Sequence, residues 1–549
     1  MPSTLGRQTA VARSHRSLRR ALPLRGLLRL RPPADTWRWS ALSAVLAIGV
    51  PEVALLLAGR MELALYTTAG GLCALYGHGL RYAARARALM WVVLGMTAGV
   101  GVASATAALT DSAVVRVAVI ALLAGVYKMV CDATRIGPPG NVVLTFITAT
   151  AAFVPTRLAD LPVHLVLVLL GGALAWVICL APSLFRPHQP ERLAVARVLE
   201  SAARLLRASE DDPAALRLRY EGAGTVAAAW HTLRSVPSVT PEIAALARLV
   251  ARAESLTVHR RCEQADQLDE WARDLRKGRP VPAVRVASAE SAELRGMAVE
   301  QATDGRSGLR RAFAAFAPGS SLFPIGMRVA VGGAAAGWTS MALGVDRPYW
   351  AVLTAAATFV ANTTLTWQRA VQRVLGSLGG VLLFTALVPV TRSATALVVV
   401  SLVCMLIVEA TISRNYGLAM IFVTPLALSM AEFVGSPSAH RLVVDRWLDT
   451  CVGAAVGVLV CFLVPNRRVS GRVDTALREL DAITTIAPTA PDRGAARARL
   501  TAALIELREA ADTAAGEWWS APLPEERIVA AERAGHRLLA ELSAPADAR

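Results

Sequence analysis

By length alone, 549 residues would allow about three or four ordinary soluble domains. A chain that is 54% hydrophobic and only 18% charged, with a mean hydropathy of +0.45, excludes a soluble enzyme with one apolar anchor and indicates a polytopic membrane protein. The net charge of +17 is not a nucleic-acid footprint, because eight arginines crowd Arg7–Arg31 while residues 186–311 hold 21 basic against 17 acidic side chains.

In chain order, residues 1–40 read as a basic cytoplasmic tail. Arginines ahead of a first span hold it inside, beside anionic lipid, and without a small-residue cleavage site the tail is expected to be retained. Residues 41–185 form a first apolar block. At about 20 residues per span it predicts about six helices, placed roughly at 41–58, 62–80, 88–109, 113–131, 141–155 and 162–184. Residues 186–323 predict a cytoplasmic helical domain, since Asp212-Pro213 and Thr240-Pro241 each supply an N-cap with Pro at the first helical position. Leu246, Leu249, Val250 and Leu256 then recur at helical spacing. The second apolar block, residues 324–465, predicts about six further helices, roughly 325–343, 349–364, 375–390, 394–412, 416–434 and 447–465, with Arg347, Arg392, Arg441 and Arg446 in its outer loops. Residues 466–549 form a second cytoplasmic helical domain.

Both blocks begin and end on the cytoplasmic side. The expected fold class is therefore an all-α polytopic membrane protein of two parallel six-helix repeats, about 12 transmembrane helices in all, with helical cytoplasmic linker and C-terminal domains. Small-x-x-x-small pairs, Gly333/Gly337, Gly376/Gly380 and Gly453/Gly457 among them, are expected to pack helices closely in lipid. Dimerisation through the amphipathic cytoplasmic helices is a further expectation. No C-x-x-C, no H-x-x-x-H and no G-x-x-x-x-G-K-[ST] occurs, so neither a short-spaced metal site nor a P-loop is expected. No cofactor and no enzymatic activity are expected either. Arginine-rich, lysine-poor usage points to a bacterial plasma membrane, with both termini cytoplasmic.

The most informative stretch runs from Asp346-Arg347-Pro348-Tyr349-Trp350 through Thr354 and Asn362-Thr363-Thr364 to Arg369, Arg373, Gly376 and Gly380. Pro348 can open a helix, Tyr349 and Trp350 suit the membrane interface, and Asn362 and Thr363 are polar groups deep in an apolar run. Arg369 and Arg373, four apart, share one helix face. Their guanidinium groups can bind carboxylates or snorkel to lipid phosphate, and residue chemistry alone leaves both open. Carboxylates in or near the spans are Glu52, Asp132, Glu409, Glu432, Asp445 and Asp449. Glu409 and Asp449 are the proton-coupling candidates, Glu409 with Arg373 or Arg414 as its expected partner.

The segment with Arg347, Tyr349, Trp350 and Thr354, followed by Arg373, Gly376 and Gly380 with Ser377 in place of the usual Thr, resembles the FUSC family. That family comprises the fusaric acid resistance-like and aromatic acid exporter proteins, to which the plant aluminium-activated malate transporters look related. The resemblance implies an integral membrane transporter exporting weak organic acids, often aromatic, on the proton gradient. Its partners would be a small organic anion and the lipid bilayer, with no nucleic acid. Tyr349, Trp350, Asn362, Thr363, Arg369 and Arg373 are the expected substrate-binding residues. A passive organic-anion channel and a non-transporting membrane scaffold for envelope enzymes are the alternatives.

Overall fold

The computed structural model describes Leu30 and most of residues 37–543. Residues 1–29, 31–36, much of 209–239, 285–311 with several neighbours up to 321, 359–362, 434–438, 464–467, 516–524, 544–549 and a few single positions lie outside that description. The tail expected over 1–40 therefore falls almost wholly outside it. Among the described residues every regular element is a helix.

The first apolar block contains α1 (Trp37–Leu57), α2 (Ala64–Gly71, between the 3-10 turns Met61–Leu63 and Leu72–Leu75), α3 (Tyr82–Leu109), α4 (Ala113–Thr134), α5 (Asn141–Ala151) and α6 (Leu161–Leu180). Along α1, Leu42, Leu46, Val50, Val53 and Leu57 face outward, while Ser40, Ser43, Ala44, Ala47 and Glu52 are buried. Large apolar groups outside and small or polar ones inside reverse the pattern of a water-soluble helix; the surrounding solvent is lipid. α6 repeats the arrangement, with Val163, Val166, Leu170 and Val177 outside and His164, Gly171, Ala175 and Cys179 inside. The chain is a multi-pass integral membrane protein.

Next come α7 (Gln189–Arg207), α8 (Pro241–Val258) and α9 (Ala265–Arg276). Leu199, Leu206, Leu246, Leu249, Val250, Leu268 and Leu275 make one core among them, and Arg276 clasps Glu200 with two bonds of 2.6 and 2.8 Å. The second apolar block holds α10 (Phe323–Ala342), α11 (Tyr349–Thr358), α12 (Thr363–Leu387), α13 (Ala394–Thr411), α14 (Tyr416–Phe433) and α15 (Ala439–Leu463), and the chain continues with α16 (Arg468–Ile486), α17 (Arg493–Ala515) and α18 (Glu525–Ser543). These last three share a core of Leu477, Leu480, Leu500, Leu504 and Leu507. Arg497 on α17 comes within 3.9 Å of Glu254 on α8, so the two helical bundles touch. Arg81, at the start of α3, donates to Glu191 on α7 at 3.0 Å and ties the membrane block to the linker bundle.

The expected double repeat of about twelve spans is overturned. Among the described residues, six helical stretches are long and apolar enough to cross a bilayer: Trp37–Leu57, Tyr82–Leu109, Ala113–Thr134, Leu158–Phe185, Thr366–Leu387 and Ala394–Thr411. Met61–Leu75, Asn141–Ala151 and Tyr416–Met430 are apolar but short. At 1.5 Å per residue the 11 residues of α5 rise about 16 Å, roughly half of a hydrocarbon core of about 30 Å. The 10 residues of α11 rise no further. Similar block lengths do not become two equal sets of six spans, because short helices are enclosed by long ones.

The two blocks interlock. α4 lies along α10 and α1 along α13. Gly125 permits the first contact, since a Cβ there would stand 2.7 Å from the Gly326 carbonyl. One buried core runs through both blocks, joining Met96, Val100 and Ile120 to Tyr349, Trp350, Phe384 and Met405.

Candidate functional site

α11 is the centre of the second block, and all of its residues are buried. Gly344 closes α10 in the left-handed region at φ 78°, which turns the chain so that Pro348 can lead into α11. Tyr349 and Trp350, expected at the membrane interface, are instead 2% and 1% exposed. Three glycine pairs let neighbouring backbones close around them. Gly333 and Gly337 on α10 face Val352 at 3.1 and 2.8 Å from where a Cβ would sit; on α15, Gly453 faces the Ala351 carbonyl at 2.5 Å and Gly457 the Thr358 hydroxyl at 2.7 Å. On α12, Gly376 lies against the Gly417 carbonyl and Gly380 against the Ile421 carbonyl of α14. Pro425 has no N–H to give to that Ile421 carbonyl, so the backbone acceptor it releases is sheltered by a residue with no side chain.

These contacts gather the arginines. Arg373 on α12 is buried, its Nε donating to the Thr354 hydroxyl at 3.3 Å and its Nη1 to the Tyr416 hydroxyl at 2.7 Å. Arg369, one turn earlier, lies over the same Tyr416 ring, 4.6 Å from its centroid. Arg446 on α15 is 1% exposed and stacks over Trp350 at 4.9 Å. Arg347 approaches that ring at 5.9 Å. Arg373 and Arg446 are within electrostatic reach of one another. Among the described residues, no carboxylate forms an ion pair with Arg369, Arg373 or Arg446. Aromatic faces and hydroxyls hold these cations, which leaves their charge available.

The expected site is thus brought together in part. Arg369 and Arg373 meet at Tyr416, and Tyr349 and Trp350 lie against each other; Asn362 and the Thr363 side chain lie outside the described residues. Arg446, read from sequence as an outer-loop residue, is inside α15 and buried. It and Tyr416 are members that sequence reasoning missed. The Arg446-x-x-Asp449 spacing was the available signal for the first, and Tyr416 carried none.

The buried carboxylates have hydroxyl partners. Glu409 accepts from Ser40, not from the arginine expected beside it. Asp449 accepts from Ser340 on α10. Glu52 accepts from Thr68 at 3.1 Å and from Ser401 at 3.3 Å. A hydroxyl can donate to a carboxylate or accept from a carboxylic acid, so these pairs survive a change of protonation. Outside the membrane, Glu191 is raised above the usual carboxylate range by burial, which Arg81 partly offsets. No group of three or more His, Cys, Asp or Glu among the described residues is placed to hold a metal ion.

Residues 334–460 match the family described as fusaric acid resistance protein-like. The uncharacterized membrane protein YvaC of Bacillus subtilis is 32% identical over 190 residues, 34% of this chain and 30% of that protein. An uncharacterized protein of Synechocystis, slr1298, is 24% identical over 143 residues, 26% of this chain and 19% of that protein. The chain therefore spans less than a third of the length of either relative. No solved structure matches it. The matched segment holds Arg369, Arg373, Tyr416 and Arg446, together with α11–α14 and parts of α10 and α15, in a membrane protein with a fusaric acid resistance protein-like segment.

Proposed function

We propose that this chain is a secondary carrier that exports weak organic acids, aromatic ones in particular, across a bacterial plasma membrane on the proton gradient. The observation that carries the reading is the convergence of Arg369 and Arg373 on Tyr416, with no described carboxylate paired to either. An unneutralised cation inside an apolar block is costly unless an anion visits it. The aromatic faces beside it suit an aryl acid. Glu409 and Asp449 take the proton-coupling role, since each keeps a serine partner in either charge state.

The test is counterflow of radiolabelled aromatic and aliphatic carboxylates in proteoliposomes, for wild type and the Arg369→Ala/Arg373→Ala variant, with and without an imposed pH gradient. Gradient-driven accumulation that the double variant loses supports the carrier. Flux indifferent to the pH gradient and set by voltage alone makes it a passive anion channel. Folded protein with no flux of any acid favours a scaffold.

A further inference from the structure

Arg446 and Asp449 sit three positions apart on α15, on one helix face, both buried. Each is incompletely satisfied: Nε and Nη1 of Arg446 and Oδ2 of Asp449 have no hydrogen-bond partner. They lie within electrostatic reach of each other and yet do not close into an ion pair. A buried guanidinium and a buried carboxylate on the same face would ordinarily meet, because an open pair leaves two desolvated groups unmatched. Here both are held apart from outside the helix. Trp350 lies under the Arg446 plane, and Ser340 on α10 draws Asp449 toward itself. Stacking on a ring face leaves the N–H edge of a guanidinium free.

We propose that Arg446 is the residue that receives the substrate's carboxylate, and that Asp449 is the internal anion that competes with the substrate for it. With the acid bound, its carboxylate meets the free Arg446 donors and Asp449 stays on Ser340. With the acid gone, Asp449 swings to Arg446 and the site neutralises itself. Arg373 adds a second positive charge within reach, so the pair of arginines and the single buried Asp449 leave room for one monovalent anion. Two further charges of opposite sign border the site and offset one another: Arg347 approaches the same Trp350 ring, and Asp445 is within electrostatic reach of Asp449. Arg328 on α10 lies twelve positions before Ser340, about 18 Å along the helix. The aryl part of an acid would lie against Tyr349 and Trp350, whose rings are 5.5 Å apart.

This inference rests on the carrier reading only for the class of anion, and its test needs no transport. Equilibrium binding of radiolabelled benzoate to the purified full chain is measured for wild type, Arg446→Gln, Arg446→Lys, Asp449→Asn and the Arg446→Gln/Asp449→Asn double variant. Acetate, inorganic phosphate and uncharged benzamide serve as competitors, and the melting temperature of each variant is the control for folding. Arg446→Gln should weaken benzoate binding about tenfold or more, and Arg446→Lys should recover part of it. Asp449→Asn removes the competitor and should tighten binding severalfold, a gain absent when Arg446 is also changed. Benzamide should compete poorly. Wild-type affinity in folded Arg446→Gln, or weaker binding in folded Asp449→Asn, overturns the proposal, as does a wild type that binds none of the three anions. Binding that behaves as expected in a protein without flux sinks the carrier and leaves the anion site standing.

Discussion

Ser40 on α1 donates a hydrogen bond to the carboxylate of Glu409 on α13, 369 positions further along the chain. On the same antiparallel helix pair, Ser401 donates to Glu52. Two Ser–Glu contacts of opposite sense therefore join the apolar blocks, each with a carboxylate as acceptor.

Glu409→Gln keeps an acceptor for Ser40 and removes the titration. The variant should fold, retain counterflow within about threefold of wild type, and lose roughly tenfold or more of its pH-driven accumulation. Parallel counterflow and gradient-driven uptake assays check this, and an unchanged response to the gradient would remove Glu409 from the coupling role.

Tyr416→Phe deletes the hydroxyl that Arg373 binds and keeps the ring under Arg369. A hydrogen bond to a charged group is worth about 1.5–3 kcal/mol, so the KM for an aromatic acid should change by roughly tenfold or more. A KM within about twofold of wild type would mean that the Arg373–Tyr416 contact lies outside the substrate path.

Gly125→Ala places a Cβ 2.7 Å from the Gly326 carbonyl, whereas Gly95→Ala meets nothing within 4 Å. The first should cost about 1–3 kcal/mol through overpacking of α4 against α10. The second should be neutral or slightly stabilising. Melting temperatures of the two variants in one detergent decide the matter; equal values would show that this contact yields easily.

Glu532, buried on α18, is pushed up from 4.5 to about 7 by burial. Between those values the folded bundle binds more protons than the unfolded chain, so stability falls as pH rises through that window. The part of stability favoured by the protonated form is complete below 4.5 and lost above about 7. Its size is on the order of 3 kcal/mol. Once the intrinsic pH dependence of amide exchange is divided out, the protection factors across Glu525–Ser543 should therefore fall from pH 5 to pH 8, and Glu532→Gln should flatten that difference.

Apolar runs made the long helices of the first block readable, because composition reports directly on burial in lipid. The same signal misled at Met61–Leu75 and Asn141–Ala151, where an apolar run is a short helix enclosed by others rather than a span. Charge misled at Arg446: a residue beside Arg441 and Asp445 reads as a loop, but a helix inside a bundle can hide charge from lipid. The spacing of Arg369 and Arg373 told of one shared face. It could not tell of Tyr416, which meets Arg373 across 43 positions, a relationship that only tertiary packing creates.

Because the core is shared, synthesis order matters. Glu52 enters the membrane with Thr68 close behind, but Ser401 follows 349 positions later. At about 5–20 residues per second that is a wait of roughly 20–70 s. Throughout it the nascent first block carries a half-satisfied carboxylate, and for most of it Gly326, Tyr349 and Trp350 have not yet arrived, so the Gly125 groove is open as well. Neither block can be a finished folding unit by itself. The insertion machinery must hold the early helices until the later ones dock, and a gene split between the blocks should yield two halves that depend on each other for survival.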